Sequence, residues 1–139
     1  MTAEIKITGL GALAADFERL TRAAQRRVLR QAAMAGARIG RDAAKALAPV
    51  DEGVTRDSVV AASARQNEPG THTAGVKIRS VRREHGRNPA YTWRFSELGT
   101  SKEPARPWIR PAWDSHEDEI VAATQDALAR AIDQALVRR

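Results

Sequence analysis

Apolar residues recur along this chain in two rhythms. From Ala12 to Ala48 they step by three and four, as Leu13, Phe17, Leu20, Ala24 and Val28, then Leu29, Ala32, Gly36, Ile39, Ala43 and Leu47. That spacing puts them along one side of a helix. The face shifts near Val28, and one uninterrupted helix of this length would be unusual in a small domain. Thr21 is a suitable cap for a second helix, so a short helix followed by a long one is expected. The long one carries Ala32, Ala33, Ala35, Gly36, Ala37, Gly40, Ala43 and Ala44, small residues that let another backbone come close. Pro49 ends it, having no N–H to donate and disfavouring helical geometry at Ala48. Val50 to Gly53 reads as a turn, and Thr55 to Ser58 as one further helical turn.

Elsewhere the rhythm is alternation. Ile5 and Ile7 alternate with Lys6 and Thr8, a short strand over Glu4 to Thr8 closed by Gly9 and Gly11. Residues 58–65 read as a strand, and Val76 to Arg82 as another with one wet face. Tyr91, Trp93 and Phe95 alternate with Thr92, Arg94 and Ser96, which predicts a strand over 91–97. Loops are expected over Asn67 to Gly75 and Arg83 to Pro89. The helical rhythm returns at the end. Val121, Leu128, Ile132 and Ala135 mark a buried face flanked by Ile120, Ala131 and Leu136, with Thr124 on the same face. Ser115 with Asp118 resembles a capping box for this helix, while Pro111 offers a start one turn earlier. Glu117, Asp118 and Glu119 suit the positive end of the helix dipole, and Arg138 and Arg139 the negative end.

Three sequential strands with no helix between them should form an antiparallel meander covered on one face by helices. The expected fold class is therefore α+β. A small antiparallel sheet, the meander plus the short N-terminal strand, packs against a long N-terminal helix and a C-terminal helix, all in one domain over residues 1–139.

Composition refines this picture. Apolar residues make up 42% of the 139 positions but aromatics only 4%. Alanine supplies much of that apolar content and buries little area, so the core should be thin and completed against other subunits. There is no cysteine, which excludes disulfide and thiolate–zinc frameworks. No run approaches the ~20 apolar residues of a membrane helix, and the start lacks the pattern of a signal peptide; a soluble, non-exported protein is expected. The net charge is +6, and it is unevenly spread. Residues 12–48 hold eight basic and three acidic side chains, 53–113 eleven and five, and 114–139 three and six. An acidic last helix on a basic chain suits self-complementary assembly as well as it suits DNA.

Candidate chemistry is sparse. His72, His85 and His116 have no metal-ligand spacing. Glu117, Asp118 and Glu119 read as a solvated helix start. No serine sits in an elbow motif, and Gly9-Leu10-Gly11 lacks the remaining glycine and the lysine of a phosphate loop. No residues fill catalytic roles, so the chain is not expected to be an enzyme; no cofactor, metal or small-molecule substrate is implied. Arg19, Arg22, Arg26 and Arg30 form a basic stripe at helical spacing. Arg22, Arg26 and Arg30, with the loop Arg82 to Arg87 and the aromatics of 91–95, are the candidates for contact with DNA. Their competing reading is the solvated face of a long helix.

The most particular stretch is Phe95 to Trp113. It holds three of the six prolines and two of the three tryptophans. Gly99 permits a positive-φ turn, and Thr100 and Ser101 can bond local backbone. Pro104, Pro107 and Pro111 stiffen the segment beyond the turn. Arg106 and Arg110 flank Trp108 and Trp113, anchors of the kind that dominate interfaces. The residues leave two readings open: an arm that presents anchors to a neighbour, or a crossover whose tryptophans pack on the chain's own sheet.

Two motifs carry a family resemblance. One is Ala46-Leu47-Ala48-Pro49-Val50-Asp51-Glu52-Gly53 with Arg56-Asp57-Ser58-Val59. The other is Phe95-Ser96-Glu97-Leu98-Gly99-Thr100-Ser101-Lys102 with Pro104-Ala105-Arg106-Pro107-Trp108-Ile109-Arg110-Pro111-Ala112. With the opening Ile5 to Leu10, they resemble the head–tail joining or tail-completion proteins of long-tailed bacteriophages, the family named after the gene-product-ten protein of a lambdoid phage. Glu52 stands where the family usually has Thr, Val54-Thr55 where it has Leu or similar, and Trp108 where it has Phe. The resemblance implies a structural virion protein, made in the bacterial cytoplasm and placed at the phage neck. It would form a ring, six-fold in preference to twelve-fold, between connector or stopper proteins on the head side and the tail tube. DNA would pass through the lumen, and no membrane is involved. The alternative is a basic nucleic-acid-binding protein acting in packaging or regulation. The expected contact residues are Gly99, Thr100, Ser101, Arg106, Trp108, Arg110 and Trp113, with Trp108 reaching toward the neighbour and Trp113 packing at home.

Overall fold

The computed structural model describes residues 11–49, 54–64, 70–81 and 88–137. The expected strand over Glu4 to Thr8, the turn Val50 to Gly53 and the basic loop Arg82 to Arg87 lie outside them. The two N-terminal helices form as their pattern requires: α1 spans Gly11–Glu18 and α2 spans Arg22–Leu47. Thr21 is the cap between them, its hydroxyl accepting from the Ala24 N–H at 3.2 Å. That bond satisfies one of the four N–H groups the first turn leaves without a helical partner. At the other end Ala48, just before Pro49, is extended at φ −62°, ψ 147°, as the proline dictates.

Beyond α2 lie the short helix α3 (Val54–Asp57) and the strands β1 (Val59–Ser63) and β2 (Ala74–Ile78). The strands pair antiparallel with Val59 opposite Ile78 and Ser63 opposite Ala74. The chain then forms α4 (Pro89–Leu98), α5 (Ile109–Ser115) and α6 (Glu117–Val137). The fold is α+β, mostly helical, with one two-stranded sheet among the described residues.

The expected three-strand meander is therefore corrected: residues 91–97 are helical. Asn88 and Pro89 decide this. The Asn88 carboxamide oxygen accepts from the Ala90 N–H at 3.1 Å, and Pro89 supplies a pre-set φ at the first helical position, where no N–H is needed. In a helix, the aromatics that alternate along the sequence separate. Tyr91 and Phe95 become neighbours one turn apart, with ring centroids 5.4 Å apart and planes perpendicular. Trp93 turns to the other side and packs on the core beside Val76.

Helix α2 is the spine, and α6 runs antiparallel to it. Near the start of α2, Leu20, Ala24 and Val28 meet Ala131 and Ile132 from late in α6, and α1 adds Leu13 and Phe17. Near its end, Ala43 and Ala44 meet Trp108, Ile109 and Ala112, with Val59 and Ile78 of the sheet. The small residues have a specific purpose here. A Cβ on Gly40 would lie 2.4 Å from the six-membered ring of Trp113, so the indole sits where only glycine leaves room. On α6 the innermost residues are Ile120, Thr124, Ala131 and Ile132, while Val121, Leu128 and Ala135 are half-buried. The buried face is thus turned slightly from the expected stripe. The buried Thr124 hydroxyl donates to the Ile120 carbonyl at 2.7 Å, which satisfies it within its own helix.

The expected Ser115 cap is also corrected. Ser115 ends α5, and its hydroxyl donates back to the Pro111 carbonyl at 2.6 Å. Helical structure begins at Ile109, with Pro111 inside the first turn, and breaks at His116 before α6. The His116 ring Nδ1 donates to the Ala112 carbonyl at 2.9 Å across that break.

Candidate functional site

The stretch from Glu97 to Arg110 is built around one side chain. Glu97 sits in the last turn of α4 and is only 6% exposed. One carboxylate oxygen accepts from the N–H groups of Trp108 at 2.7 Å and Ile109 at 3.0 Å, and the other accepts from Arg110 at 3.0 Å. These are N–H groups at the start of α5, which a helix cannot satisfy itself. A carboxylate is the side chain best suited to them, because both oxygens accept and its charge opposes the helix dipole. Trp108, at the cap position, has no side-chain oxygen of its own to offer. Glu97 supplies the cap from eleven residues away.

Ser96 reinforces the junction. Its hydroxyl donates to the Trp93 carbonyl at 3.1 Å and accepts from the Trp108 indole N–H at 3.2 Å. Its carbonyl accepts from the Arg106 N–H at 2.7 Å. The chain between is thus a loop with both ends tied to the last turn of α4. Gly99 opens the loop at φ 78°, ψ 170°, a region nearly reserved for glycine, and a Cβ there would lie 2.8 Å from the Ala105 nitrogen. Inside the loop, the Thr100 N–H donates to the Glu103 carbonyl at 2.9 Å. The Thr100 hydroxyl accepts from the N–H groups of Lys102 and Glu103 at 3.2 and 3.1 Å. Residues 100–107 are exposed throughout.

The expected contact residues divide accordingly. Thr100, Ser101 and Arg106 are exposed on the loop, Arg110 is exposed at the start of α5, and Gly99 is half-buried as the hinge. Arg110 lies 4.0 Å from Asp114 one turn on. Trp113 packs at home, over Gly40. Trp108 does not reach outward: it is 3% exposed and belongs to the core with Ala43, Ala44 and Val59. The cause is the Glu97 cap, which fixes the Trp108 backbone against α4 and leaves its ring facing inward. No local pattern announces Glu97, because its partners lie a loop away. The outer face of α4 is readable from Asn88-Pro89 and from the i, i+4, i+7 spacing of Tyr91, Phe95 and Leu98.

The basic stripe lies elsewhere. Arg22, Arg26 and Arg30 are exposed on successive turns of α2. Arg22 lies eighteen residues from Gly40, about 27 Å along the axis, so the stripe and the loop occupy opposite ends of the spine. Burial, and then the nearby Arg30 charge, lower the His72 pKa below its usual value, and the His72 Nε2 pairs with the Ser63 hydroxyl at 3.0 Å. At the same end an open groove of about 590 Å³ runs between α2 and α6, lined by Arg19, Arg27, Gln31 and Gln134 among others. Among the described residues no cluster of His, Asp and Glu has the arrangement of a metal site. No helix there is long and apolar enough to cross a membrane.

The family model described as "Bacteriophage HK97-gp10, putative tail-component" matches residues 11–99, well over half of the chain. The chain belongs to this family, and with it to the structural components of phage tails. The match runs from α1 through α4 to Gly99, where the exposed loop begins. No curated protein and no solved structure matches the chain.

Proposed function

We propose that this chain completes the phage tail and joins it to the head, as a homo-oligomeric ring at the neck between connector proteins and the tail tube. One observation carries the reading beyond tail-component membership: the exposed loop 100–107 is held in one shape by Glu97 and Gly99. A surface segment with its ends pinned has already lost the entropy that docking would otherwise cost it. The role of the loop in this reading is contact, and the protein acts without catalysis. Six-fold symmetry fits a ring that continues the tail tube, and the protein would reside in the virion neck. Thr100, Ser101, Arg106 and Arg110 are then the residues that meet a neighbour, whereas Trp108 and Trp113 hold the surface from behind.

Native mass spectrometry of the purified protein, alone and with tail-tube protein, tests this. A hexamer in either condition is the expected result, and a folded monomer in both sinks the proposal. The exposed stripe Arg22, Arg26 and Arg30 favours a second reading, in which the chain binds nucleic acid in packaging or regulation. DNA binding with a steep salt dependence that falls when these arginines are replaced would support it. Such binding by a monomer that never assembles would replace the ring reading.

A further inference from the structure

Helix α4 has two faces with different fates. Pro89, Trp93 and Glu97 face the core and the start of α5. Tyr91, Phe95 and Leu98 lie one and two turns apart on the other side, and Tyr91 and Leu98 are 55% and 72% exposed. Water therefore meets Tyr91 and Leu98 at the two ends of an apolar stripe whose middle residue, Phe95, is half-buried. The stripe has basic surroundings. The Arg94 guanidinium lies over the Tyr91 ring, 5.3 Å from its centroid. Lys102 and Arg106 on the loop and Arg110 on α5 are all exposed close by in the chain, with Glu103 among them.

The complementary surface is on the same chain. On α6, Glu119, Ala122, Asp126 and Asp133 are exposed at spacings of three, four and seven, which places them along one face. Arg130 interrupts this face and does not reverse its sign. A small residue between acids offers a shallow seat for an apolar ridge edged with arginines. Within one subunit α6 packs on α2 and α1, so the two surfaces belong to different sides of the packing scheme.

We infer that the Tyr91–Phe95–Leu98 face of one copy docks on the acidic outer face of α6 in the next copy. This inference rests on the ring reading above and names the contact that would build the ring. Two different patches make a head-to-tail contact, which closes into a ring when the rotation permits. Charge then sets the register and burial of the stripe supplies affinity.

Two full-length variants test it. Tyr91→Asp with Leu98→Asp spoils the α4 face, and Asp126→Lys with Asp133→Lys spoils the α6 face. Both sets are surface changes, and thermal melts matching the unmodified protein establish that each variant is folded. Native mass spectrometry is then run under the condition in which the unmodified protein assembles. Each variant alone should be monomeric, and an equimolar mixture should give a heterodimer that grows no further, because each copy retains one intact face. Should the first pair perturb folding, Arg94→Glu is the milder lesion. It should weaken assembly about tenfold and be rescued by Asp126→Lys. If either double variant assembles normally, or the mixture stays monomeric, this contact is wrong and the ring stands. If the unmodified protein itself never assembles, alone or with tail-tube protein, the ring reading fails first.

Discussion

The two ends of α2 are stabilised by different means. At its N-terminal end, Leu20, Ala24 and Val28 meet Ala131 and Ile132, and each contact follows from helical periodicity. At its C-terminal end, Trp108, Ile109 and Ala112 are held against Ala43 and Ala44 by particular side-chain bonds, each bridging seven to thirteen residues across a loop. Glu97 caps α5. Asn88 ties the start of α4 to the end of the sheet, its carboxamide accepting from the Val81 N–H at 3.1 Å and donating to the Ser80 hydroxyl at 2.7 Å. The Trp113 indole lies over Gly40. One end is thus a pattern repeated along helices, and the other is a small number of particular bonds. Single changes should be graded at the first and severe at the second.

Trp108→Ala should show the contrast most strongly. Removing a buried tryptophan should cost about 3–5 kcal/mol, read as a lower denaturant midpoint of the monomer. A variant that folds normally and only assembles poorly would restore the outward-reaching arm and break the comparison. Glu97→Ala comes next. It leaves the Trp108, Ile109 and Arg110 N–H groups without their acceptor, at a cost of roughly 2 kcal/mol or more. It should also speed tryptic cleavage after Lys102, because the loop loses its anchor; the bond after Arg106 precedes Pro107 and resists trypsin in either case. Unchanged cleavage would mean that the loop keeps its shape without the carboxylate.

At the other end, Thr21→Ala removes a cap and should cost about 1 kcal/mol, with no change in loop cleavage. Smallest is the effect of His72. Its pKa is lowered in the folded protein by burial and by Arg30, so the unfolded chain binds the proton more readily. Stability contributed by the neutral ring is present above the unfolded pKa near 6.5 and is lost as pH falls through the folded value. The midpoint should therefore drop slightly between about pH 7 and 5, and His72→Gln should flatten that slope. A midpoint that rises on acidification would contradict the sign.

The same contrast explains what can be read from the residues alone. The first two helices, the Thr21 cap and the stop at Pro49 are visible because each depends on neighbours within a few positions. Two strands are visible as well, but the second runs from Ala74 to Ile78 and not over 76–82, because its bounds are set by pairing with Val59–Ser63. The 91–97 segment misleads because alternation of Tyr91, Trp93 and Phe95 is compatible with either rhythm over so short a span. Asn88 and Pro89 are the local signals that settle it. Trp108 looks like an outward anchor because its burial depends on Glu97, and that pairing exists only after α4 and α5 meet. The exposed loop residues Thr100, Ser101 and Arg106 need no tertiary knowledge, since a Gly-Thr-Ser turn among prolines is a surface segment under any packing.

The Glu97 latch also makes the loop a report on the chain behind it. Its carboxylate reaches α5 only from the last turn of a formed α4, and Trp108 is seated only against the floor that α2 and the sheet provide. A copy still folding has no loop of this shape to display. Any partner that recognises the loop by its shape is thereby selecting finished subunits from unfinished ones.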